Sequence, residues 1–184
     1  MFTVEVRNSA DPAVTSSATL EIFATRYSLV PRSSGGNYAK TECVKDNLTG
    51  LVWEGKNPGG SSSRPADGFY TSLLSYLGTG TADDYKNSVN SNGGLCGYMD
   101  WRLPAKNELL GIVDKSQASA PKIDSTWFPN TQIDYAYWTS SEITDSSSTY
   151  YFNSKPLVVD FRSGNLYYTD PTRVSEAFHV RLVR

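Results

Sequence analysis

The sequence is poor in the residues that build metal sites, nucleic-acid interfaces and membrane spans. It has two cysteines and one histidine among 184 residues, too few for a four-ligand zinc site without carboxylates. Its net charge of -2 lacks the basic excess expected of a nucleic-acid-binding domain. No apolar run approaches the roughly 20 residues that a membrane span needs. We therefore predict no metal site, no cofactor, no nucleic-acid partner and no membrane span. Calcium stays an open alternative, because loop Asp, Asn and Ser oxygens suit it, although no DxDxDG pattern occurs.

The first residues lack a basic segment followed by an apolar one, so they do not resemble an export signal. The sequence is instead rich in tyrosine, with 12 of them among many serines, glycines and asparagines. Such a composition suits recognition surfaces, because tyrosine offers amphipathic contact area at low entropic cost. It is also common in secreted β-rich proteins. Since other features argue for export, we expect a mature piece of a longer surface protein.

The two cysteines, Cys43 and Cys96, lie in polar or glycine-rich segments rather than in apolar runs. This favours one disulfide bridge over the alternative, two buried free thiols in a cytosolic protein. A bridge would close a loop of about 50 residues and stabilise the fold by on the order of 4 kcal/mol. It would also place the chain outside the cytosol, in the extracellular space or on the bacterial cell surface.

The N-terminal region, residues 1–30, predicts a pair of β-strands. Apolar residues alternate with polar ones from Phe2 to Val6 and again from Ala18 onward, with turn residues between the two runs. Two strands alone are marginally stable, so they must pack on the domain, on a neighbour or on another copy of the chain. The pair is therefore interpreted as a remnant of an immunoglobulin-like module or as an oligomerisation arm.

The remainder, residues 38–184, predicts one α+β domain with helices early and strands late. Thr81 suits the N-cap of a helix that runs through Val89, and Pro104 begins a second helix. The strand-rich half starts at Tyr135, and Ser163-Gly164 before Asn165 predicts a hairpin turn. Three further features are an apolar helical face over 69–77, a flexible loop over 55–65 and an end of the second helix near Asp114.

Five blocks then occur in an order that resembles one family. They are Asp46–Trp53 (DNLTGLVW), Gly94–Pro104 (GLCGYMDWRLP), Ile123–Thr131 (ending FPNT), Tyr137–Ser141 (YWTSS) and Val180–Arg184 (VRLVR). Together they resemble the C-terminal domain of the Legionella collagen-like (Lcl) surface adhesins over roughly residues 41–184. The RLP block and the VRLVR ending are also similar to formylglycine-generating enzymes and other C-type-lectin-like folds. The resemblance thus implies a C-type-lectin-like fold with a twisted antiparallel sheet and two helices.

Most of the motif residues are interpreted as parts of the fold. Tryptophans anchor cores, and proline presets the backbone at the start of a helix. We expect Arg102 to pair with Asp100 or with loop carbonyls, and Glu108 to lie in the first turn of the second helix. The full set of fold residues is Trp53, Asp100, Trp101, Arg102, Pro104 and Trp138.

Ligand binding is assigned to the late loops, because tyrosine rings stack on sugars while lysine and arginine hold sulfate or carboxylate groups. The candidate residues are Tyr150, Tyr151, Lys155, Arg162, Tyr167, Tyr168 and Arg173. The alternative is an ordinary solvated face. The resemblance implies an adhesin that binds glycans, including sulfated glycosaminoglycans, or extracellular matrix. A second hypothesis is a structural module that forms a homotrimer or caps a surface fibre.

An enzyme is the least favoured interpretation. His179, the one histidine, alternates with Phe178 and Val180, which is typical of a structural strand residue rather than a general base. The reactive cysteines of formylglycine-generating enzymes lie late in the domain, whereas both cysteines here lie early. The sequence therefore predicts no catalytic residue.

Overall fold

The computed structural model describes residues 2–7, 15–20, 25–59, 64–71, 80–144, 154–169 and 176–184. These residues form short helices and antiparallel sheets, so the predicted α+β class is confirmed. The strands are β1 Phe2–Arg7, β2 Thr15–Leu20, β3 Tyr27–Leu29, β4 Cys43–Asp46, β5 Val52–Glu54, β6 Tyr70–Thr71, β7 Tyr137–Thr144, β8 Ser154–Asp160, β9 Asn165–Tyr168 and β10 Ala177–Phe178. The helices are α1 Ala82–Ser91 and α2 Lys106–Gly111.

The N-terminal strands form the pair that the alternating pattern predicts. β1 and β2 are antiparallel, with Phe2 opposite Leu20 and Arg7 opposite Thr15. Whether this pair is a module remnant or an oligomerisation arm stays a prediction.

The C-terminal segment returns to the first sheet of the main domain. That sheet has the order β3-β4-β5. Val52 and Arg184 exchange two backbone hydrogen bonds of 3.0 Å, and Val183 bridges to both Trp53 and Arg102. The VRLVR ending is therefore part of the core, and its residues from Val180 to Val183 are all buried.

The late sheet has the order β7-β8-β9 and carries the predicted hairpin. Gly164 has φ of 72° in the turn between β8 and β9, and its amide donates to Asp160 O at 2.7 Å. A Cβ at this position would lie 2.9 Å from Val113 Cγ1, so both backbone conformation and space favour glycine. The turn is thereby held against the segment that follows α2.

The helices match the sequence in place but not always in length. Thr81 caps α1 by accepting from the Asp84 amide, and the Asp84 carboxylate accepts from the Thr81 amide in return. α2 ends at Gly111, short of the predicted end near Asp114. The predicted helical face over 69–77 is wrong at its start, because Tyr70–Thr71 is a strand; its remainder lies outside the described residues.

Two adjoining apolar clusters form the core, and the disulfide lies in the first. Cys43 on β4 and Cys96 after α1 are bonded, as predicted, with their Cα atoms 6.5 Å apart. Trp101 and Trp138 are buried in the same cluster, and Trp53 in the second. Trp101 Nε1 donates to the carbonyls of Leu95 and Tyr98, both at 3.1 Å. The disulfide and the Trp101 indole therefore hold the same turn, residues 95–98.

Of the two partners expected for Arg102, the structure shows a loop carbonyl and not Asp100. Arg102 does not pair with Asp100; its guanidinium forms two hydrogen bonds of 2.7 Å to Glu108, and it also reaches the Leu103 carbonyl at 3.3 Å. Asp100 accepts from Arg184 at 2.8 and 3.1 Å instead. Because Glu108 lies in the first turn of α2, Arg102 links the GLCGYMDWRLP block to that helix.

Candidate functional site

Three of the seven predicted ligand residues line one open cleft. Arg162, Tyr167 and Tyr168 border a cavity of about 540 Å³ on the late sheet. Lys155 lies beside it, with Nζ 5.1 Å from the centre of the Tyr168 ring. Tyr150, Tyr151 and Arg173 lie outside the described residues. The structure therefore brings the four described candidates to one surface.

Local sequence explains how the β8–β9 turn presents these groups. Asp160 ends β8, and its carboxylate accepts from the Arg162 amide at 2.7 Å and from Ser163 Oγ at 2.8 Å. Such aspartate and serine contacts are the usual chemistry of a tight turn. Ser163 Oγ also lies 3.3 Å from Tyr167 Oη. The turn therefore fixes the backbone that bears Arg162 and the hydroxyl of Tyr167.

The opposite wall comes from residues that sequence reasoning missed. Asp134 and Tyr135 precede β7, while Glu176 and Phe178 lie at β10. The two walls are joined where Arg162 Nε donates to the Ile133 carbonyl at 2.9 Å. The sequence signals for this wall were Tyr135, at the start of the strand-rich half, and Phe178, in the alternating run with His179. We call the whole surface the tyrosine cleft; its defining residues are Asp134, Tyr135, Arg162, Tyr167, Tyr168 and Glu176.

Three aromatic residues of the tyrosine cleft are largely accessible. The exposed fractions are 52% for Tyr135, 48% for Tyr167 and 63% for Tyr168. Tyrosines are more often intermediate in burial, with their rings packed and the hydroxyl at the surface. Hydrogen bonding to Ser163 and Asn165 lowers the pKa of Tyr167 below its ordinary value. Three exposed rings around one depression form a surface that can hold a flat apolar face.

A buried histidine supports the Asp134 wall. His179 Nδ1 lies 3.0 Å from the Gly68 carbonyl, and Nε2 lies 2.9 Å from Asp134 Oδ1. Its ring packs 4.7 Å from Phe69 and 5.1 Å from Tyr137, centre to centre. Burial raises the pKa of Asp134, but the His179 hydrogen bond and charge outweigh it and hold that pKa below its ordinary value. His179 is thus a packed positioning residue.

Carboxylates outnumber cations in the described lining of the tyrosine cleft. Asp134, Asp160 and Glu176 line it together with Arg162, and Lys155 lies beside it. They do not converge on a metal site, since no group of three or more such ligands occurs within the described part of the chain. The arrangement offers acceptors for hydroxyl and amide donors, next to aromatic faces.

Comparison with known families decides what kind of domain this is. Residues 42–184 match the Lcl C-terminal domain. The chain belongs to that family. The resemblance of the five sequence blocks is thereby confirmed. The family is one of domains associated with surface adhesins. Searches of curated proteins and of solved structures give no match. No helix in the described ranges is long and apolar enough to cross a membrane.

The Lcl C-terminal domain also contains a buried charge network that the sequence did not predict. Lys56 lies in the segment expected to be a flexible loop, yet it is 2% exposed and donates to Glu54 at 3.0 Å and to Tyr85 Oη at 3.1 Å. Arg181 is fully buried and donates to the Glu54 carbonyl at 2.7 Å. Tyr85 also donates to Glu54.

This network accounts for the buried Arg181 inside the VRLVR ending. None of its residues lines the tyrosine cleft. Burial lowers the pKa of Lys56 to about 8, although Glu54 opposes the shift. Burial raises the pKa of Tyr85 well above its ordinary value. Such buried, mutually bonded charges are characteristic of structural networks that specify packing. We assign the network to the scaffold of the Lcl C-terminal domain.

Proposed function

We propose that this domain is an extracellular adhesion module that binds glycans or host matrix surfaces through the tyrosine cleft. The observation that carries the proposal is the grouping of Tyr135, Tyr167 and Tyr168 around one cavity with Arg162. Binding sites are concave and combine aromatic surface with a few polar groups. The disulfide and the family membership support a location outside the cytosol. On this proposal the domain binds and does not catalyse.

The scaffold under this proposal is C-type-lectin-like. Its support is the combination of two short helices, antiparallel sheets and a C-terminal segment that pairs with β5. In such a scaffold the long connections of the second half form the ligand face, and β8, β9 and the turn between them lie there.

The test is a glycan and matrix-protein array followed by calorimetric titration of the full chain. Tyr168→Ala should weaken binding by about tenfold or more, because a stacked aromatic ring contributes on the order of 1 kcal/mol beyond its buried area. Arg162→Gln tests whether the guanidinium contributes to binding. Its matched control is Arg32→Gln, because Arg32 pairs with Glu42 on the surface and does not line the cleft. If folded protein binds no array member, including sulfated glycosaminoglycans, the proposal fails.

A structural module that forms a homotrimer is the second candidate. The β1–β2 pair favours it, because two strands are stable only when another surface covers one of their faces. Sedimentation of the full chain and of a chain lacking residues 1–25 separates the two ideas. A trimer that dissociates on truncation supports the structural role, whereas monomers in both samples contradict it.

A further inference from the structure

Phe69 and Tyr135 form an exposed aromatic pair at the border of the tyrosine cleft, and we call this pair the aromatic shelf. Their ring centres lie 5.0 Å apart with the planes at 88°, an edge-to-face contact. Phe69 is 38% exposed, although phenylalanine is among the residues most often fully buried. Tyr135 lines the cavity of the cleft, whereas Phe69 does not. The aromatic shelf therefore extends the aromatic surface of the cleft beyond its cavity.

One buried residue, His179, holds both halves of the aromatic shelf. The Gly68 carbonyl, directly before Phe69, lies 3.0 Å from His179 Nδ1. Asp134, directly before Tyr135, lies 2.9 Å from His179 Nε2. Because one imidazole fixes both backbone segments, the two rings are positioned before a ligand arrives. A preorganised surface loses less conformational freedom on binding than a flexible one.

The ring geometry leaves one face of Phe69 uncovered by its two aromatic neighbours. His179 packs on Phe69 with ring centres 4.7 Å apart and the planes tilted by 31°. The Tyr135 centre lies only 6.4 Å from that of His179, which is too close for a third ring stacked on the far side of Phe69. Tyr135 therefore lies beside the Phe69–His179 stack and does not cap it.

Asp134 adds a hydrogen-bond acceptor next to the aromatic shelf. Its Oδ1 accepts from the Tyr135 amide at 3.1 Å and meets His179, while Oδ2 has no hydrogen-bond partner among the described residues. The side chain is 51% exposed. Burial raises the pKa of Asp134, but the His179 hydrogen bond outweighs it, so this carboxylate is an ionised acceptor at neutral pH.

A sugar ring matches this combination of groups. One face of a pyranose carries C–H groups and packs on aromatic rings, while its hydroxyls donate to carboxylates. The cavity beside the aromatic shelf, at about 540 Å³, is within the usual size of ligand sites. Tyr135 belongs to both surfaces, so a single chain of sugars can contact both.

We propose that Phe69, Tyr135 and Asp134 form a second subsite, which binds one sugar ring of a glycan whose other rings occupy the tyrosine cleft. The apolar face of that ring lies on the aromatic shelf, and one of its hydroxyls donates to Asp134. This inference rests on the proposed function and narrows it to glycan chains of two or more rings.

The experiment compares short and long ligands on the full chain by calorimetry or NMR titration. The pairs are glucose with cellohexaose and with maltohexaose, N-acetylglucosamine with N-acetylchitohexaose, and a heparin disaccharide with a heparin hexasaccharide. We expect at least one hexasaccharide to bind about thirtyfold tighter or more than its short counterpart, because linked contacts act together.

Phe69→Ala tests the contact that lies outside the cavity. It should weaken hexasaccharide binding by about tenfold and change the Kd of the short ligand by less than about twofold. Phe69→Leu keeps an apolar side chain against His179 but lacks the ring, so it keeps the test decisive if Phe69→Ala disturbs the fold. Leu48→Ala is the matched control, because Leu48 is 77% exposed and lines no part of the cleft.

The outcomes separate this inference from the function on which it rests. Hexasaccharide binding that is unchanged in both Phe69 variants, yet weakened by Tyr168→Ala, would overturn the second subsite and leave the cleft in place. Equal weakening of short and long ligands by Phe69→Leu would indicate a structural role and would overturn it as well. If folded protein binds none of these sugars, the inference fails; the proposed function fails with it only if the glycan and matrix-protein array is also negative.

Discussion

His179 and Asp134 lie 45 residues apart in the sequence, and their Nε2 and Oδ1 atoms lie 2.9 Å apart. This contact connects the buried interior to the exposed wall of the tyrosine cleft. Because the other ring nitrogen meets the Gly68 carbonyl at 3.0 Å, the imidazole faces an oxygen acceptor on each side. The one histidine of the sequence therefore positions a surface carboxylate from a fully buried site.

Replacing His179 by phenylalanine tests its hydrogen bonds separately from its ring packing. His179→Phe keeps a ring between Phe69 and Tyr137 but leaves the Gly68 carbonyl without its partner. We expect the free energy of unfolding to fall by about 1–3 kcal/mol, measured by urea denaturation. Binding of the glycan ligand should weaken as well, because Asp134 loses its anchor. Unchanged stability and unchanged binding would refute the positioning role.

The buried lysine predicts an alkaline dependence of stability. The pKa of Lys56 is about 8 in the folded chain, against 10.5 for an ordinary lysine. Between these values the unfolded chain binds more protons than the folded one, so the contribution of this group to stability rises as pH increases. Tyrosines with raised pKa act in the opposite direction, but only above about pH 10.

Lys56→Met isolates that dependence. Removing one partner of a buried ion pair should destabilise the fold by about 3–5 kcal/mol at pH 7. The stability gap between wild type and variant should then widen from pH 8 to pH 10, by at most about 1.4 kcal/mol per pH unit. Urea denaturation at several pH values measures it. A gap that stays constant across this range would contradict the lowered pKa of Lys56.

The disulfide should carry a large share of the stability. Cys43 and Cys96 are 53 residues apart, so the bond restricts a long loop in the unfolded chain. The double variant Cys43→Ala and Cys96→Ala should lose about 2–5 kcal/mol of unfolding free energy. Dithiothreitol should destabilise the wild type by a similar amount and leave the double variant unchanged. A wild type indifferent to reduction would argue against the bond in solution.

The Arg102–Glu108 pair should matter little for stability despite its place in the most recognisable motif. Both side chains are partly exposed, at 48% and 24%, and exposed ion pairs contribute about 1 kcal/mol or less. Arg102→Lys removes the bidentate hydrogen bonding to Glu108, and it should therefore lower the free energy of unfolding by less than about 1 kcal/mol. A double-mutant cycle with Glu108→Gln measures the coupling. A coupling above about 2 kcal/mol would show that the pair is a central fold determinant.

The sequence predicted those elements whose signal is local. Alternation identified β1, β2 and the late strands, and the cap residue Thr81 identified the start of α1. The turn between β8 and β9 followed from Gly164, because few other residues adopt its backbone conformation. In each case the responsible residues lie within a few positions of one another.

Features that depend on distant residues were missed. Lys56 lies in a glycine- and serine-rich segment that predicts solvent exposure, yet its side chain is buried. It donates to the nearby Glu54 and to Tyr85, which is 29 residues away in the sequence. The wall of the tyrosine cleft was likewise not predicted, since Asp134 and Glu176 share no motif with Tyr167. Only the fold places the segment before β7 next to β9 and β10.

The most direct measurement of the central claim is an NMR titration of the isotope-labelled full chain with the tightest-binding glycan of the array. We expect the largest shift changes on Tyr135, Arg162, Tyr167 and Tyr168. Leu48 and Met99, which are exposed but do not line the cleft, should stay unperturbed. Shift changes confined to surfaces away from these four residues would contradict a carbohydrate site in the tyrosine cleft.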